Sequence, residues 1–342
     1  MSKYDSGGDP TAAAYSVSGV DQKTTIPEGS GFEPTPGETM WIMPTILVAT
    51  RDGLHTFDNE GQPREVDHVG RSVTALGRAN DEYWAIVEGS ELWHAARGDW
   101  SHVTDLDDLS ATCVAAIGAD VFVGSSEARL FRLAGEALEP VIAFDHAEGR
   151  ETWYTPWGGA PDTRSIADWD DDVYANVHVG GILRTDDGGE TWTPTIDIDA
   201  DVHHVTTAEG MALAACAGGL ASSTDRGVTW TYRTDGLEAR YSRAVAVCGD
   251  VVLVSASNGP RGGRAAVYRG NLTGGSFERC RAGLPESFED NIDTYCLDAL
   301  PDGSFAGFGT SHGRVYGSND QGTTWDERAS GLRPVQRVLV LP

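Results

Sequence analysis

Residues Thr185–Trp192 read TDDGGETW, and the pattern returns as STDRGVTW at Ser223–Trp230 and as SNDQGTTW at Ser318–Trp325. Each stretch opens on Ser or Thr, then carries Asp, Gly and Thr at two-residue steps and closes on Trp. The chemistry is that of a strand–turn–strand corner. An Asp carboxylate accepts hydrogen bonds from backbone N–H groups in a tight turn. Gly supplies a backbone conformation that other residues reach only at a cost. Thr and Trp then open a strand, with the indole packed beside the preceding turn. Asp187, Gly189, Trp192, Asp225, Gly227, Trp230, Asp320, Gly322 and Trp325 are therefore read as structural residues.

Outward from these corners the chain repeats. Short strands with a polar start recur as RSVTAL (71–76), TCVAAI (112–117), RSIADW (164–169), HHVTTA (203–208), SRAVAV (242–247), YCLDAL (295–300) and QRVLVL (336–341). The base spacing is about 40 residues, that of a four-stranded propeller blade. Second strands follow, such as DVFVGS and MALAACA, then third strands such as GILRTD and GLASST, and the fourth begins at the corner Trp. Trp100 and Phe277 take the Trp place where the corner pattern has decayed. Seven inner strands predict an all-β, seven-bladed propeller of four-stranded antiparallel blades. ILVAT (46–50) lacks an upstream inner partner, so the C-terminal QRVLVL is expected to close the ring beside it, with MWIM (40–43) as a competitor for part of that role. Residues 1–37, rich in Gly, Ser, Thr, Pro and Asp, read as a disordered tail. Residues 38–342 read as one propeller domain.

The three corners resemble the Asp-box, or BNR repeat, of sialidase-like propellers, and the PWGGAPDTRS segment is similar to a loop of the WD/YVTN/BNR-like group. This resemblance implies that the Asp-box corners lie on the side away from the ligand and serve the fold. It implies two kinds of function. One is a binding or assembly scaffold, as in photosystem II assembly-factor-like propellers and sortilin-like receptors. The alternative is a glycoside hydrolase of exo-sialidase type acting on a carbohydrate at the same face. For the latter, Arg71, Arg164, Arg243 and Arg337 would imitate the family's arginine triad, with Tyr295 or Tyr241 as nucleophile and Glu151 or Asp162 nearby. The chain departs from that pattern, because it lacks the Arg-Ile-Pro stretch of sialidases and has seven units where they use six blades. No catalytic residue is assigned.

Composition narrows the partners. Asp and Glu number 52 against 25 Lys and Arg, a net charge of −27, and only Lys3 and Lys23 are lysines. Such a balance fits adaptation to molar salt, as in a halophilic archaeon, where screening acts within about 3 Å. It disfavours nucleic acid, which needs a basic face. The five cysteines form no CxxC pair and most sit in apolar runs, so free buried thiols in a reducing, cytoplasmic compartment are expected. No apolar run reaches membrane-spanning length and no signal peptide is seen. A monomer is expected, with a small-molecule, carbohydrate or protein partner.

In a propeller the loops entering inner strands open at one face of the channel. The first inner-strand positions are Arg71, Thr112, Arg164, His203, Ser242, Tyr295 and Gln336; the second are Ser72, Cys113, Ser165, His204, Arg243, Cys296 and Arg337. One of these rows should ring a polar, partly cationic mouth. The longest insertion, 144–165, brings Trp153, Tyr154 and Trp157 to the same face. The expected ligand contacts are Arg71, Trp153, Trp157, Arg164, His203 and Tyr295. The histidines, His178, His203, His204 and His312 among them, form no ligand motif, so neither metal nor cofactor is expected.

Overall fold

The structure is a computed structural model that describes residues 44–96 and 99–342. The proposed tail (1–37) and the MWIM segment lie outside the described residues. Seven four-stranded antiparallel sheets follow one another along the chain. Their inner strands are Val335–Leu341, Val73–Ala79, Ala111–Ile117, Thr163–Trp169, Val202–Ala208, Tyr241–Cys248 and Leu297–Ala299, for the first to seventh blades. The first blade joins the two ends of the described chain: Thr45 pairs with Leu341, Ile46 with Val340 and Val48 with Val338. The ring thus closes with QRVLVL beside ILVAT, which removes the open edge the fold would otherwise carry.

The second strand of each blade is clamped between neighbouring blades, which accounts for its composition. Asp172–Val177, Met211–Cys216 and Val251–Ser257 are buried along their whole length. Both faces are dry, so these strands read as continuous runs of small and apolar residues rather than alternating ones. The core lies between blades: Phe122 and Leu130 of the third blade pack with Ile166, Val173 and Leu183 of the fourth. Outer strands such as Pro63–Asp67 face water and are polar. Helix among the described residues is confined to Ile142–Asp145 and two 3-10 turns. Among the described residues, no helix is long and apolar enough to cross a membrane.

The three corners are superimposable in their bonding. Asp187 Oδ1 accepts from the Thr185 hydroxyl (2.8 Å) and the Thr191 N–H (3.0 Å), while Oδ2 accepts from the Thr191 hydroxyl (2.7 Å). Asp225 and Asp320 repeat this with Ser223 and Thr229 and with Ser318 and Thr324. The opening hydroxyl also accepts the Gly N–H, at 2.8–2.9 Å in the three cases. These bonds hold Asp187 and Asp225 down at about pKa 2; those from Thr191 and Thr229 contribute most. Trp192 and Trp325 are buried, and Trp325 Nε1 donates to the Gly322 carbonyl (3.1 Å).

The inner strands differ from the expected alignment in one respect. Most carry a β-bulge near the channel mouth, with register shifts at Val73/Ala75, Ala111/Cys113, Thr163/Ser165, Val202/His204 and Ser242/Val245. The equivalent residues are therefore Thr74, Thr112, Arg164, His203, Arg243 and Gln336. Arg71 sits three residues too early and Ser242 one too early. The apolar pattern does not expose the error, because Val73 and Leu76 are both apolar and the bulge adds an unpaired residue between them.

Candidate functional site

The bulge matters for chemistry because the extra residue turns its side chain out of the ladder. Thr74, Thr112, Arg164, Arg243 and Gln336 thus surround a mouth of about 300 Å³, together with Asp162, Asp293, Thr294 and Arg337. Three guanidinium groups meet two carboxylates there. Arg164 pairs with Asp162 (3.2 Å) and approaches His178 Nδ1 (3.0 Å). Arg243 pairs with Asp293 (2.9 Å) and lies over the Tyr241 ring. Arg337 makes no ion pair among the described residues. It donates to the carbonyls of Gln336 (2.6 Å) and Thr112 (3.1 Å) and lies over the Tyr295 ring. Burial works against ionisation of Asp162, yet His178 and Arg164 outweigh it and hold that carboxyl at about pKa 2.

Tyr295 divides the channel. Its φ of 59° is left-handed, a conformation that costs a bulky residue energy. Its hydroxyl reaches the opposite wall, accepting from the Ile166 N–H (3.0 Å) and donating to the Ile166 carbonyl (3.2 Å). Its ring packs on His204, 4.4 Å between centroids. Burial pushes the phenol far above its ordinary range. Beyond this plug lie two hollows of about 230 and 170 Å³ that share Tyr295, Arg78 and Asp298. Asp298 accepts the Val340 N–H (2.8 Å) and is raised by burial.

Of the six expected contacts, only Arg164 lines the mouth. Trp157 is 67% exposed, with its ring 5.2 Å from that of His178, itself bonded to Arg164. Trp153 instead packs on Phe144 and under the Arg150 guanidinium, as part of the core between the third and fourth blades. Tyr295 is the plug. Arg71 is held by Glu91 (2.5 Å) and Trp93 and is not among the residues lining the mouth. His203 is fully buried, with Nδ1 against the Ser242 carbonyl (2.6 Å). The residues under-weighted by the sequence are Gln336 and Thr74, whose placement depends on the bulge, and Asp201.

Asp201 precedes the fifth inner strand at φ 47°. Its Oδ1 lies 3.2 Å from His178 Nε2 and 3.5 Å from His203 Nε2. Neither approach is aligned as a hydrogen bond, and Asp201 Oδ1 and His203 Nε2 are both buried without a partner. Burial opposes ionisation of Asp201, but the two histidines hold its carboxyl well below the usual range. Burial lowers the His203 pKa, with Asp201 acting in the opposite direction.

No family model matches this chain, and no curated protein matches it either. Solved structures share its architecture. YCF48 bound to a D1 peptide is 15% identical, with a TM-score of 0.54 over 78% of this chain and 85% of that one. The GH74 xyloglucanase of Xanthomonas campestris is 16% identical, with a TM-score of 0.64 over 84% of this chain. This chain spans about half (52%) of that enzyme. YCF48 from Cyanidioschyzon merolae is 13% identical with a TM-score of 0.53, covering 76% of this chain and 86% of that one. At these identities the likeness is one of fold.

Proposed function

We propose that this protein is a binding scaffold whose channel mouth takes a carboxylate-bearing ligand, either a small molecule or an acidic group on a partner protein. The carrying observation is the charge of the mouth. Arg164, Arg243 and Arg337 face only Asp162 and Asp293 there, in a chain whose net charge is −27. A local cationic excess inside an acidic envelope attracts an anion and fixes it by charge-assisted, directional bonds. Thr112, Thr74 and Gln336 add neutral polar groups, and the exposed Trp157 indole offers a flat surface nearby. The repeated Ser/Thr–Asp–Gly–Trp corners, bonded alike, support placing the chain as a divergent Asp-box propeller. The peptide held by YCF48 shows that a propeller of this general shape serves peptide recognition in that protein.

Glycoside hydrolysis at the same mouth has less support. A general acid needs a raised pKa, and Asp162 is held at about 2. Tyr295, one of the two candidate nucleophiles beside Tyr241, has its hydroxyl committed to Ile166. The test is a thermal-shift and calorimetric screen of sugar acids, small carboxylates and acidic peptides against their neutral amides or esters. Carboxylate-selective binding that Arg337→Ala weakens about tenfold or more supports the reading. Equal binding of the neutral compounds overturns it, and release of sugar from an oligosaccharide would favour the hydrolase.

A further inference from the structure

We propose that His178, Asp201 and His203 form a site for one divalent transition-metal ion of the zinc type. Two buried atoms, His203 Nε2 and Asp201 Oδ1, are mismatched. A backbone carbonyl cannot donate, so His203 Nδ1, 2.6 Å from the Ser242 carbonyl oxygen, carries the ring's proton. The other nitrogen, Nε2, is then a bare lone pair. It faces a carboxylate oxygen of Asp201 at 3.5 Å, and both atoms are buried with no hydrogen-bond partner. With the ring neutral, two acceptors facing each other out of water repel unless a cation is shared between them, either a metal ion or an added ring proton. The His203 side chain is wholly buried, so packing holds its ring in place.

His178 completes the set. Its Nε2 lies 3.2 Å from the same Asp201 oxygen, and the three donor atoms all fall within 4.8 Å of one another. Ligands bound to zinc at about 2.0–2.1 Å in a tetrahedron stand roughly 3.3 Å apart, close to the two spacings to Asp201. The surroundings match a metal site's outer shell, in which a carbonyl or carboxylate takes the far N–H of each histidine. Ser242 does this for His203. For His178 a rearrangement is required: Nδ1 accepts from Arg164 (3.0 Å) in this structure, so ligation through Nε2 needs Arg164 to withdraw and the ring proton to move to Nδ1, where Asp162 stands 3.6 Å away. Arg164 and Arg243 oppose a cation nearby, and their own pairs with Asp162 and Asp293 offset that. Two imidazoles and one carboxylate suit zinc, cobalt or iron rather than calcium or magnesium. The Asp201 side chain keeps 24% of its surface, which leaves a path for the ion and for a water as fourth ligand. The three ligands are not mouth-lining residues, although Arg164 and Asp162 border both sites.

The test uses cobalt(II) alone, added to the full chain after dialysis against a chelator. The expected result is one equivalent bound, with the visible absorption of four- or five-coordinate cobalt and no thiolate charge-transfer band. Asp201→Asn, which keeps shape and tolerates the left-handed backbone, should weaken binding at least tenfold while the protein stays folded by circular dichroism. His178→Gln should do the same. Absence of a stoichiometric site, a thiolate band pointing to the cysteines, or unchanged affinity in folded Asp201→Asn would overturn the proposal.

Discussion

Ser318 shows how much a single residue carries in this fold. Its buried hydroxyl donates to Asp320 Oδ1 (2.9 Å) and accepts the buried Gly322 N–H (2.9 Å). Ser318→Ala strips that N–H of its acceptor and should cost about 1–3 kcal/mol, read as a lower midpoint in chemical denaturation with mouth binding unchanged. The paired aspartates give a pH signature. Asp187 and Asp225 are held at about 2, below the 3.8 of a free carboxyl. Their contribution is complete above about pH 4 and is lost as pH falls toward 2, so acid titration of the Asp187→Asn/Asp225→Asn double variant should be flatter over that window than wild type. These corners were legible from sequence because every partner lies within eight residues. Asp201 was not: one histidine partner lies in a turn of the preceding blade and the other on a bulge, and the packing of the fourth blade against the fifth brings them together.

At the scale of elements, the C-terminal strand and the Tyr295 plug carry the clearest expectations. Deleting residues 335–342 removes the inner strand of the first blade and leaves Thr45–Thr50 with an unpaired edge. The truncated chain should lose its cooperative unfolding transition by circular dichroism and aggregate. Tyr295→Phe should cost about 1–2 kcal/mol by leaving the Ile166 N–H without its acceptor, with no effect on a ligand held by the three arginines. Strand order, blade number and closure were all readable from the 40-residue spacing and its polar starts. The register at the mouth was not. A bulge shifts which residue faces the channel without altering the apolar pattern, and so Thr74 took the place assigned to Arg71. The insertion 144–165 was equally opaque: Trp153 and Trp157 stand four residues apart, yet one joins the core and the other faces solvent.

For the whole molecule, charge sets the conditions. With a net charge of −27, self-repulsion is expected to lower stability at low ionic strength, and raising KCl from 0.1 M to molar concentrations should raise the melting temperature steeply before it levels off. A flat salt response would argue against salt adaptation. The same charge makes the mouth conspicuous, because its arginines are set in a chain of strongly negative net charge. Calorimetric titration at constant KCl of one carboxylate ligand and its neutral amide, into wild type and the Arg164→Ala/Arg337→Ala double variant, tests this most directly. Saturable binding of the carboxylate to wild type only is expected, with the amide silent on both proteins; binding of the amide to wild type as tight as the carboxylate, or carboxylate binding that survives in the folded double variant, would overturn the assignment of the mouth.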